Sequence, residues 1–252
     1  MTKIDASVFI ITLNEAQNIG RALQSVADFA HIVVVDSGST DETVSIAKTF
    51  TPHVVHHDFE NFAAQKNYAL SLCEKDYCLT LDADEEVSPE LAAELRVFLA
   101  APNADGLMIP RLDMVLGRQQ HPWSHYQKQI RFMRKRKAHF APKLVHESIT
   151  LDGVLGQTRH GIVHYGDGTI GQRLQKIDSY SRLRAAEKCA AGRRPSLLKL
   201  ILTGPLTFLK TYLFRRYILN GRRGFVISVM NGHYAFLKEA RLFEAWDEKE
   251  KG

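Results

Sequence analysis

The chain is poor in cysteine, and the few cysteines it has show no useful spacing. Its 252 residues include three, Cys73, Cys78 and Cys189, an odd number without paired or metal-ligand spacing. This argues against a disulfide framework and favours a reducing cytoplasm. Met1–Asp5 leads directly into a predicted strand, so we expect no signal peptide.

Acidic residues are scarce in the last third of the chain. Residues 171–252 contain 17 Lys+Arg and 7 Asp+Glu, a net charge of +10, whereas residues 1–170 contain 16 and 21, a net charge of −5. A basic tail of this kind suits nucleic acid, anionic lipid or an acidic substrate, and its apolar content decides among them.

The basic tail also lacks a long uncharged run. Ser196–Leu219 is rich in leucine and phenylalanine, but its longest stretch without a charge, Leu200–Leu209, has ten residues. Gly204 and Pro205 within it predict a break between helices. A membrane-spanning helix needs about 20 residues. We therefore predict helices that lie in the membrane interface, with the alternative that they pack on the catalytic domain or on a second subunit.

What the first half does contain is an alternation of strands and helices. Ala6–Leu13, His31–Val35, Val54–His56 and Tyr77–Leu81 read as strands, and a predicted helix follows each of them. Capping boxes are predicted at two helix starts: Asn14 with Gln17, and Ser39 with Glu42. Ser88 and Pro89 predict a further start, with proline at the first helical position. This order predicts an α/β fold with a mostly parallel sheet.

The run Tyr77–Leu81 ends abruptly in carboxylates. Asp82 and Asp84 follow it, and alternate residues of an extended segment point to the same side. Ligands of open α/β sheets bind beyond the carboxyl ends of the strands. Two carboxylates there, completed by a diphosphate, suit Mg²⁺ or Mn²⁺.

Polar side chains also follow the first two predicted strands. Asn14 and Glu15 come after the first, and Asp36 ends the second. Each alone is compatible with a helix cap or a solvated loop. Their shared position at one edge of the sheet favours a nucleotide site, which needs acceptors for base and ribose as well as a metal for the diphosphate.

These motifs resemble those of the family-2 inverting glycosyltransferases, a family with the GT-A fold. The resemblance rests on Ile11–Glu15, Val34–Asp41, Lys66–Ala69 and Asp82–Asp84. Within that family, the short chain, Val145–Glu147 and the basic apolar tail are similar to bacterial lipopolysaccharide core glycosyltransferases.

The resemblance implies roles for five of these residues. Glu15 and Asp36 match contacts to uracil and ribose, and Lys66 matches a basic residue near the nucleotide. Asp82 matches a contact to ribose or to the metal shell, and Asp84 matches the metal ligand. An inverting transfer also needs a base that removes the proton of the acceptor hydroxyl.

Glu147 is our candidate for that base. It lies downstream of the metal motif, and the adjacent His146 could orient it or act itself. The family commonly has a Glu-Asp pair where this chain has His146-Glu147-Ser148, so Asp113 and His146 stay open as alternatives.

Two further groups of residues allow more than one interpretation. His121 and His125 have a spacing that zinc sites use, but without cysteine partners or a His-Glu-x-x-His pattern we predict loop histidines. The basic cluster Arg131–Lys137 with Trp123–Tyr126 suits either a grip on a phosphorylated acceptor or a solvated face.

Together these observations predict a GT-A-like catalytic domain over residues 1–170 and a helical basic extension over residues 171–252. The expected reaction moves a hexose, glucose first among the candidates, from a UDP-sugar to a lipopolysaccharide-core or other lipid-linked acceptor. The expected location is the cytoplasmic face of the inner membrane, with no nucleic-acid partner, and self-association stays open. The alternatives are a sugar-phosphate nucleotidyltransferase and a non-enzymatic basic binding module. Against the nucleotidyltransferase, this chain has no Gly-rich phosphate loop after its first strand.

Overall fold

The structure is a computed structural model, and it describes residues 2–141, 148–166 and 169–251. These residues form two compact units. The first contains the chain up to Leu112 together with Tyr126–Gly166, and the second contains Asp113–His125 together with the chain from residue 169 onward. The short segment Asp113–His125 thus groups with the C-terminal helices, a feature that the sequence did not indicate. The domain boundary after residue 170 stays a prediction.

The first unit is built on four parallel strands in the order β3-β2-β1-β4. Their bounds are Ile4–Thr12 for β1, Phe29–Asp36 for β2, Val54–His56 for β3 and Tyr77–Asp82 for β4. Three helices connect them: α1 over Ile19–Ser25, α2 over Thr43–Lys48 and α3 over Phe62–Ser71. The predicted strands and their parallel order are confirmed.

Both faces of the parallel strands are covered, which explains their nearly continuous apolar sequences. Along β1, Val8 and Ile10 belong to one buried cluster, while Phe9 belongs to another cluster with Val33 and Val35 of β2. Successive side chains of a strand point to opposite faces. The sheet therefore has a hydrophobic core on each side.

The sheet continues beyond β4 with strands of mixed direction. These are β5 (Glu85–Val87), β6 (Gly106–Val115), β7 (Arg118–Gln119), β8 (Gln127–Arg134), β11 (Leu155–Gln157) and β12 (Ile162–His164). β8 lies antiparallel between β4 and β6, and β12 is antiparallel to β5. Strands β9 (Ala138–Ala141) and β10 (Ser148–Leu151) form a separate antiparallel pair, and Lys135–Lys137 form a 3₁₀ turn. The predicted α/β class with a GT-A-like sheet is confirmed.

Helix starts were predicted less well than strands. α1 begins at Ile19 rather than at Asn14, and Asn14 instead has a left-handed backbone with φ of 54°. α2 begins at Thr43, because the Ser39 hydroxyl bonds to Asp36 and does not cap the helix. Helix α4 (Pro89–Ala100) begins as predicted, since Ser88 Oγ accepts a hydrogen bond from the Leu91 amide at 3.1 Å.

The second unit is helical. It contains α5 (Ile170–Ala190), α6 (Leu197–Leu209) and α7 (Gly221–Lys251), with a π turn over Lys210–Phe214 and a 3₁₀ turn over Tyr217–Asn220 between α6 and α7. α5 and α6 both pack on α7. Gly204 of α6 meets Gly232 of α7 so closely that a Cβ on Gly232 would lie 2.9 Å from the Gly204 carbonyl oxygen.

The expected break at Gly204-Pro205 is wrong. Pro205 lies inside α6, where the helix continues, and the whole segment Leu197–Phe214 has 18 residues, a mean hydropathy of 1.3 and only 11% of its residues buried. At a rise of about 1.5 Å per residue it is about 27 Å long, near the thickness of a bilayer's hydrocarbon core. By length and composition it is a candidate membrane span. The uncharged run Leu200–Leu209 is shorter than this segment because it stops at Lys210.

Candidate active site

The polar residues predicted at the strand ends come together at one edge of the sheet. In the register of the parallel strands, Thr12 of β1 lies opposite Asp36 of β2, and Ile11 of β1 lies opposite Asp82 of β4. Asp36 and Asp82 therefore lie on either side of β1 at its carboxyl end, where the loop with Asn14 and Glu15 begins.

The loops after β1 and β2 are tied to each other by hydrogen bonds around Asp36. Asp36 Oδ2 accepts from the amides of Gly38 and Ser39 at 3.0 and 2.9 Å, and the Ser39 hydroxyl donates to Oδ1. The Asn14 amide donates to Ser39 Oγ at 2.9 Å, and Asn14 Oδ1 accepts from the Thr40 amide at 2.9 Å. Asp36 is buried and Asn14 is exposed, so Asp36 organises a loop whose outer surface carries Asn14.

Glu15 lies on the same loop and is half-buried. Its Oε2 accepts from Asn18 Nδ2 at 2.8 Å, and its amide donates to Thr43 Oγ1 at 2.8 Å. These hydrogen bonds fix Glu15 between the amino-terminal ends of α1 and α2.

Asp82 lies at the centre of a network of buried charges. Lys66 Nζ of α3 is 3.1 Å from Oδ1, and both terminal nitrogens of Arg131 of β8 are 3.2 Å from Oδ2. Arg131 also donates to Glu85 Oε1 at 2.8 Å, and Glu85 Oε2 accepts from the Asp82 amide at 3.0 Å. Two carboxylates and two cations thus balance each other below the sheet edge.

The network acts on its two acids in opposite directions. Desolvation opposes the ionisation of Asp82, but the charges of Lys66 and Arg131 outweigh it and hold the pKa of Asp82 well below its usual range. Burial raises the pKa of Glu85 above its usual value, although Arg131 lowers it. The side chain of Asp82 is 36% exposed, so this ionised carboxylate, paired with Lys66 and Arg131, reaches the surface.

Asp84 has a different environment from Asp82. It lies in the turn between β4 and β5, outside the strand, and its Oδ2 is 3.3 Å from Nε2 of His164 at the end of β12. The two side chains are 22% and 24% exposed. A carboxylate oxygen and an imidazole nitrogen at a partly open sheet edge are donors that can hold a divalent cation such as Mn²⁺.

A second set of contacts holds His164 in place. Its neighbour Tyr165 donates its amide to the Asp84 carbonyl at 3.0 Å and its hydroxyl to Glu86 Oε2 at 2.6 Å. The guanidinium of Arg21 lies 3.5 Å above the Tyr165 ring. Helix α1, strand β5 and the end of β12 are thereby joined around the Asp84–His164 pair.

Several residues of this site were not predicted. Sequence reasoning left out Glu85, His164 and Tyr165, and it placed Arg131 in an exposed basic cluster. Glu85 continues the acidic run that begins at Asp82, and His164 ends a short apolar run, Ile162–Val163, so both carried the strand-end signal.

The interpretation of Arg131–Lys137 as a grip on a phosphorylated acceptor is not supported. Arg131 is buried, and Arg134 donates to the Tyr77 hydroxyl at 2.9 Å and pairs with Asp76 at 3.3 Å. Lys135 donates to the carbonyls of Ser71 and Cys73, and Lys137 pairs with Asp105 at 3.0 Å. These cations bind groups of their own unit.

The predicted base and its neighbour, Glu147 and His146, lie outside the described residues. Strand β9, which precedes them, is held against α3: Asn67 donates to the Phe140 carbonyl at 2.8 Å and accepts from its amide at 2.9 Å. Asp113, the other alternative, lies in β6 and groups with the second unit. His121 Nδ1 accepts from the Trp123 amide at 3.2 Å, in keeping with a loop histidine.

The chain is similar to known proteins in both sequence and structure. The model of the family described as "Glycosyl transferase family 2" matches residues 7–154. A relative from Rhizobium meliloti, the "Lipopolysaccharide core biosynthesis glycosyltransferase LpsC", is 31% identical over 251 residues, which cover 96% of this chain and 93% of the relative.

Solved structures with the same fold were also found. The mannosyltransferase PcManGT from Pyrobaculum calidifontis, in complex with GDP-Man and Mn²⁺, has a TM-score of 0.54 at 16% identity and covers 98% of this chain and 88% of its own. S. aureus TarS 1-349 in complex with UDP has a TM-score of 0.50 at 18% identity and covers 98% and 91%. At these identities the likeness concerns the fold.

Proposed function

The chain belongs to glycosyltransferase family 2, and from that premise we propose that it transfers a hexose from a UDP-sugar to a lipopolysaccharide-core or other lipid-linked acceptor, with inversion. The observation that carries the proposal is the pairing of Asp84 with His164 beside the charge of Asp82 at the sheet edge. The family match favours glycosyl transfer over a nucleotidyltransferase or a non-enzymatic binding module.

Asp84 and His164 are the proposed metal ligands. Both side chains are partly exposed, and a mixed oxygen and nitrogen donor set suits Mn²⁺ better than Mg²⁺, which prefers oxygen alone. When bound, the metal would neutralise negative charge on the departing diphosphate. Asp82 is proposed to lie beside the metal rather than to bind it, because Lys66 and Arg131 already bind both of its oxygens.

The nucleotide is proposed to bind against the loops after β1 and β2. Asn14 and Glu15 offer an exposed amide and a half-buried carboxylate, and Asp36 holds the two loops in position. Lys66 pairs with Asp82 and stabilises its ionised carboxylate. The acceptor base is proposed to be Glu147 with His146 beside it, on the family resemblance alone.

The acceptor class and the membrane are connected through the second unit. The relative from Rhizobium meliloti is described as a lipopolysaccharide core biosynthesis glycosyltransferase, and the proposed acceptor is a lipid-linked glycan. Leu197–Phe214 exposes leucine side chains next to lysines and arginines, which suits a bilayer with anionic headgroups. We propose that this segment holds the enzyme at the cytoplasmic face of the inner membrane.

The test measures UDP release from UDP-glucose and other UDP-sugars by purified protein, with and without Mn²⁺. The wild type should release UDP only with metal, and Asp84→Asn should lower the rate by at least about 100-fold, since a metal-bound oxyanion loses several kcal/mol of stabilisation. Glu90→Gln on the surface of α4 is the matched control and should keep the wild-type rate.

Two results would contradict the proposal. A wild-type rate in Asp84→Asn would remove the metal assignment, and release of pyrophosphate from a sugar phosphate and a nucleoside triphosphate would restore the nucleotidyltransferase.

A further inference from the structure

A group of metal-ligating side chains lies at the edge of the sheet opposite the candidate active site. His31 is near the start of β2, His53 precedes β3, and Glu74 lies between α3 and β4. One ligand atom from each lies within 4.8 Å of the other two. We propose that His31, His53 and Glu74 form a binding site for a divalent transition metal, with Zn²⁺ as the ion that fits it best.

The three side chains already lie close to the distances that a metal site requires. Nε2 of His31 is 3.5 Å from Glu74 Oε1, and the rings of His31 and His53 have centroids 4.7 Å apart at an angle of 51°. Ligands of a tetrahedral zinc ion, each about 2.0–2.2 Å from the metal, lie about 3.3–3.6 Å from each other. Because His53 and Glu74 are exposed, small rotations of their side chains can close the remaining distance.

The donor set selects the class of metal. Two imidazole nitrogens and one carboxylate oxygen suit Zn²⁺ and its neighbours, whereas Mg²⁺ and Ca²⁺ need oxygen ligands. Burial lowers the pKa of His31, so its ring is neutral at neutral pH, which is the form that binds metal. A fourth position remains open to water.

The ring of His31 is held by a second layer of contacts. Nδ1 lies 3.2 Å from Ser7 Oγ of β1, and Ser7 Oγ also accepts from the amides of Glu74 and Lys75 at 3.2 and 3.0 Å. A hydrogen bond on one ring nitrogen that directs the other toward the metal is typical of histidine ligands. Ser7 thus fixes the buried ligand and, through the Glu74 amide, the start of the segment that carries the acid.

The position of the site indicates a structural role. His31 and Asp36 lie five residues apart on β2, which is about 17 Å along a strand. A metal so far from Asp36 cannot act on the donor, but it would connect β2, the loop before β3 and the segment before β4. We therefore expect bound Zn²⁺ to stabilise the fold without changing the chemistry of transfer.

The experiment uses the full chain in a background of Asp84→Asn with His164→Gln, so that the candidate active site cannot hold the ion. Zn²⁺ is titrated against a chromophoric chelator, and thermal midpoints are recorded at each Zn²⁺ concentration. One equivalent should bind, and the midpoint should rise by several degrees. His53→Ala and Glu74→Gln should each weaken binding by at least about tenfold and abolish the rise.

His160→Ala is the matched control, because His160 is also an exposed histidine paired with a glutamate, Glu94, at 3.0 Å. It should bind Zn²⁺ as the background protein does. Both test variants change exposed side chains and leave His31 in place, so loss of folding would not obscure the result. Unchanged affinity in His53→Ala and Glu74→Gln, or equal weakening in His160→Ala, would overturn the proposal.

Discussion

The two units differ in which side chains they bury and which they expose. The first unit buries charge: Arg131 and Glu85 have side chains only 8% and 1% exposed, and they complete a network with Asp82 and Lys66. The second unit leaves apolar side chains outside, with Leu198 and Leu206 of α6 exposed by 67% and 58%. Burying charge costs desolvation free energy that pairing must offset, and a large exposed apolar surface is typical of a binding site.

The difference fits the ligand proposed for each unit. A buried charge network holds its charged side chains in a fixed geometry, which suits a small ligand bound at a defined position. An exposed apolar helix bordered by cations suits an extended surface without fixed geometry, such as a bilayer. Changes in the first unit should therefore act on folding and chemistry, and changes on α6 should act on location.

The largest effect is expected from removing the buried cation of the first unit. Arg131→Met leaves Asp82 and Glu85 without their shared partner, and such a change typically destabilises a protein by about 3–5 kcal/mol. Urea unfolding measures it. Arg182→Met is the control in the second unit: its ion pair with Asp178 is exposed, so the loss should stay below about 1 kcal/mol.

A second substitution sharpens this prediction. In Arg131→Met, Asp82 keeps Lys66 as its partner but Glu85 loses Arg131, so adding Glu85→Gln should recover part of the lost stability. Equal losses for Arg131→Met and Arg182→Met would mean that the buried network does not support the first unit.

The next largest effect concerns the apolar surface of the second unit. Serine at Leu198, Ile201 and Leu206 removes three exposed apolar side chains from α6. Because each buried leucine contributes about 1.5–3 kcal/mol, binding to anionic vesicles should weaken by at least about 100-fold. Vesicle flotation measures binding, and urea unfolding should show little change.

The control for this experiment lies on another helix of the same unit. Serine at Leu174, Tyr180 and Leu183 removes three exposed apolar side chains from α5, which has fewer apolar neighbours. That variant should bind vesicles like the wild type. Equal loss in both variants would assign the effect to general hydrophobicity rather than to α6.

A smaller effect should separate His164 from Asp82 within the first unit. His164→Gln replaces a nitrogen ligand by an oxygen, so the Mn²⁺ concentration for half-maximal UDP release should rise about tenfold and the preference for Mn²⁺ over Mg²⁺ should fall. The same change at His160, which lies four residues earlier and is bound to Glu94, should leave the metal dependence unchanged.

Much of the first unit could be predicted because its signals are local. The strands show as apolar runs, and parallel order brings Asp36 and Asp82 to one edge whatever the details of the loops. The helix starts at Asn14 and Ser39 could not be predicted, because these residues bond to each other's loops and not to their own helices. Local sequence patterns do not show hydrogen-bond partners that are so distant in the chain.

The same reason explains the residues that were missed. His164 lies 80 positions after Asp84 in the chain, and only the pairing of β12 with β5 brings them together. Arg131 looked like part of an exposed basic cluster, since nothing in its own segment shows that β8 places it beneath Asp82. In the second unit, Pro205 indicated a break that the packing of Gly204 on Gly232 overrides.

The smallest predicted effect tests whether the two units unfold together. Ser88 caps α4 in the first unit and Thr169 caps α5 in the second, each through a hydrogen bond to a backbone amide, at 3.1 and 3.2 Å. Alanine at either position should cost about 1 kcal/mol. If the units are separate cooperative structures, Ser88→Ala should shift only the transition seen by probes of the sheet, and Thr169→Ala only the loss of helical signal from the second unit. Hydrogen exchange followed residue by residue distinguishes them, and an equal shift of all protected amides in both variants would show that the chain unfolds as one unit.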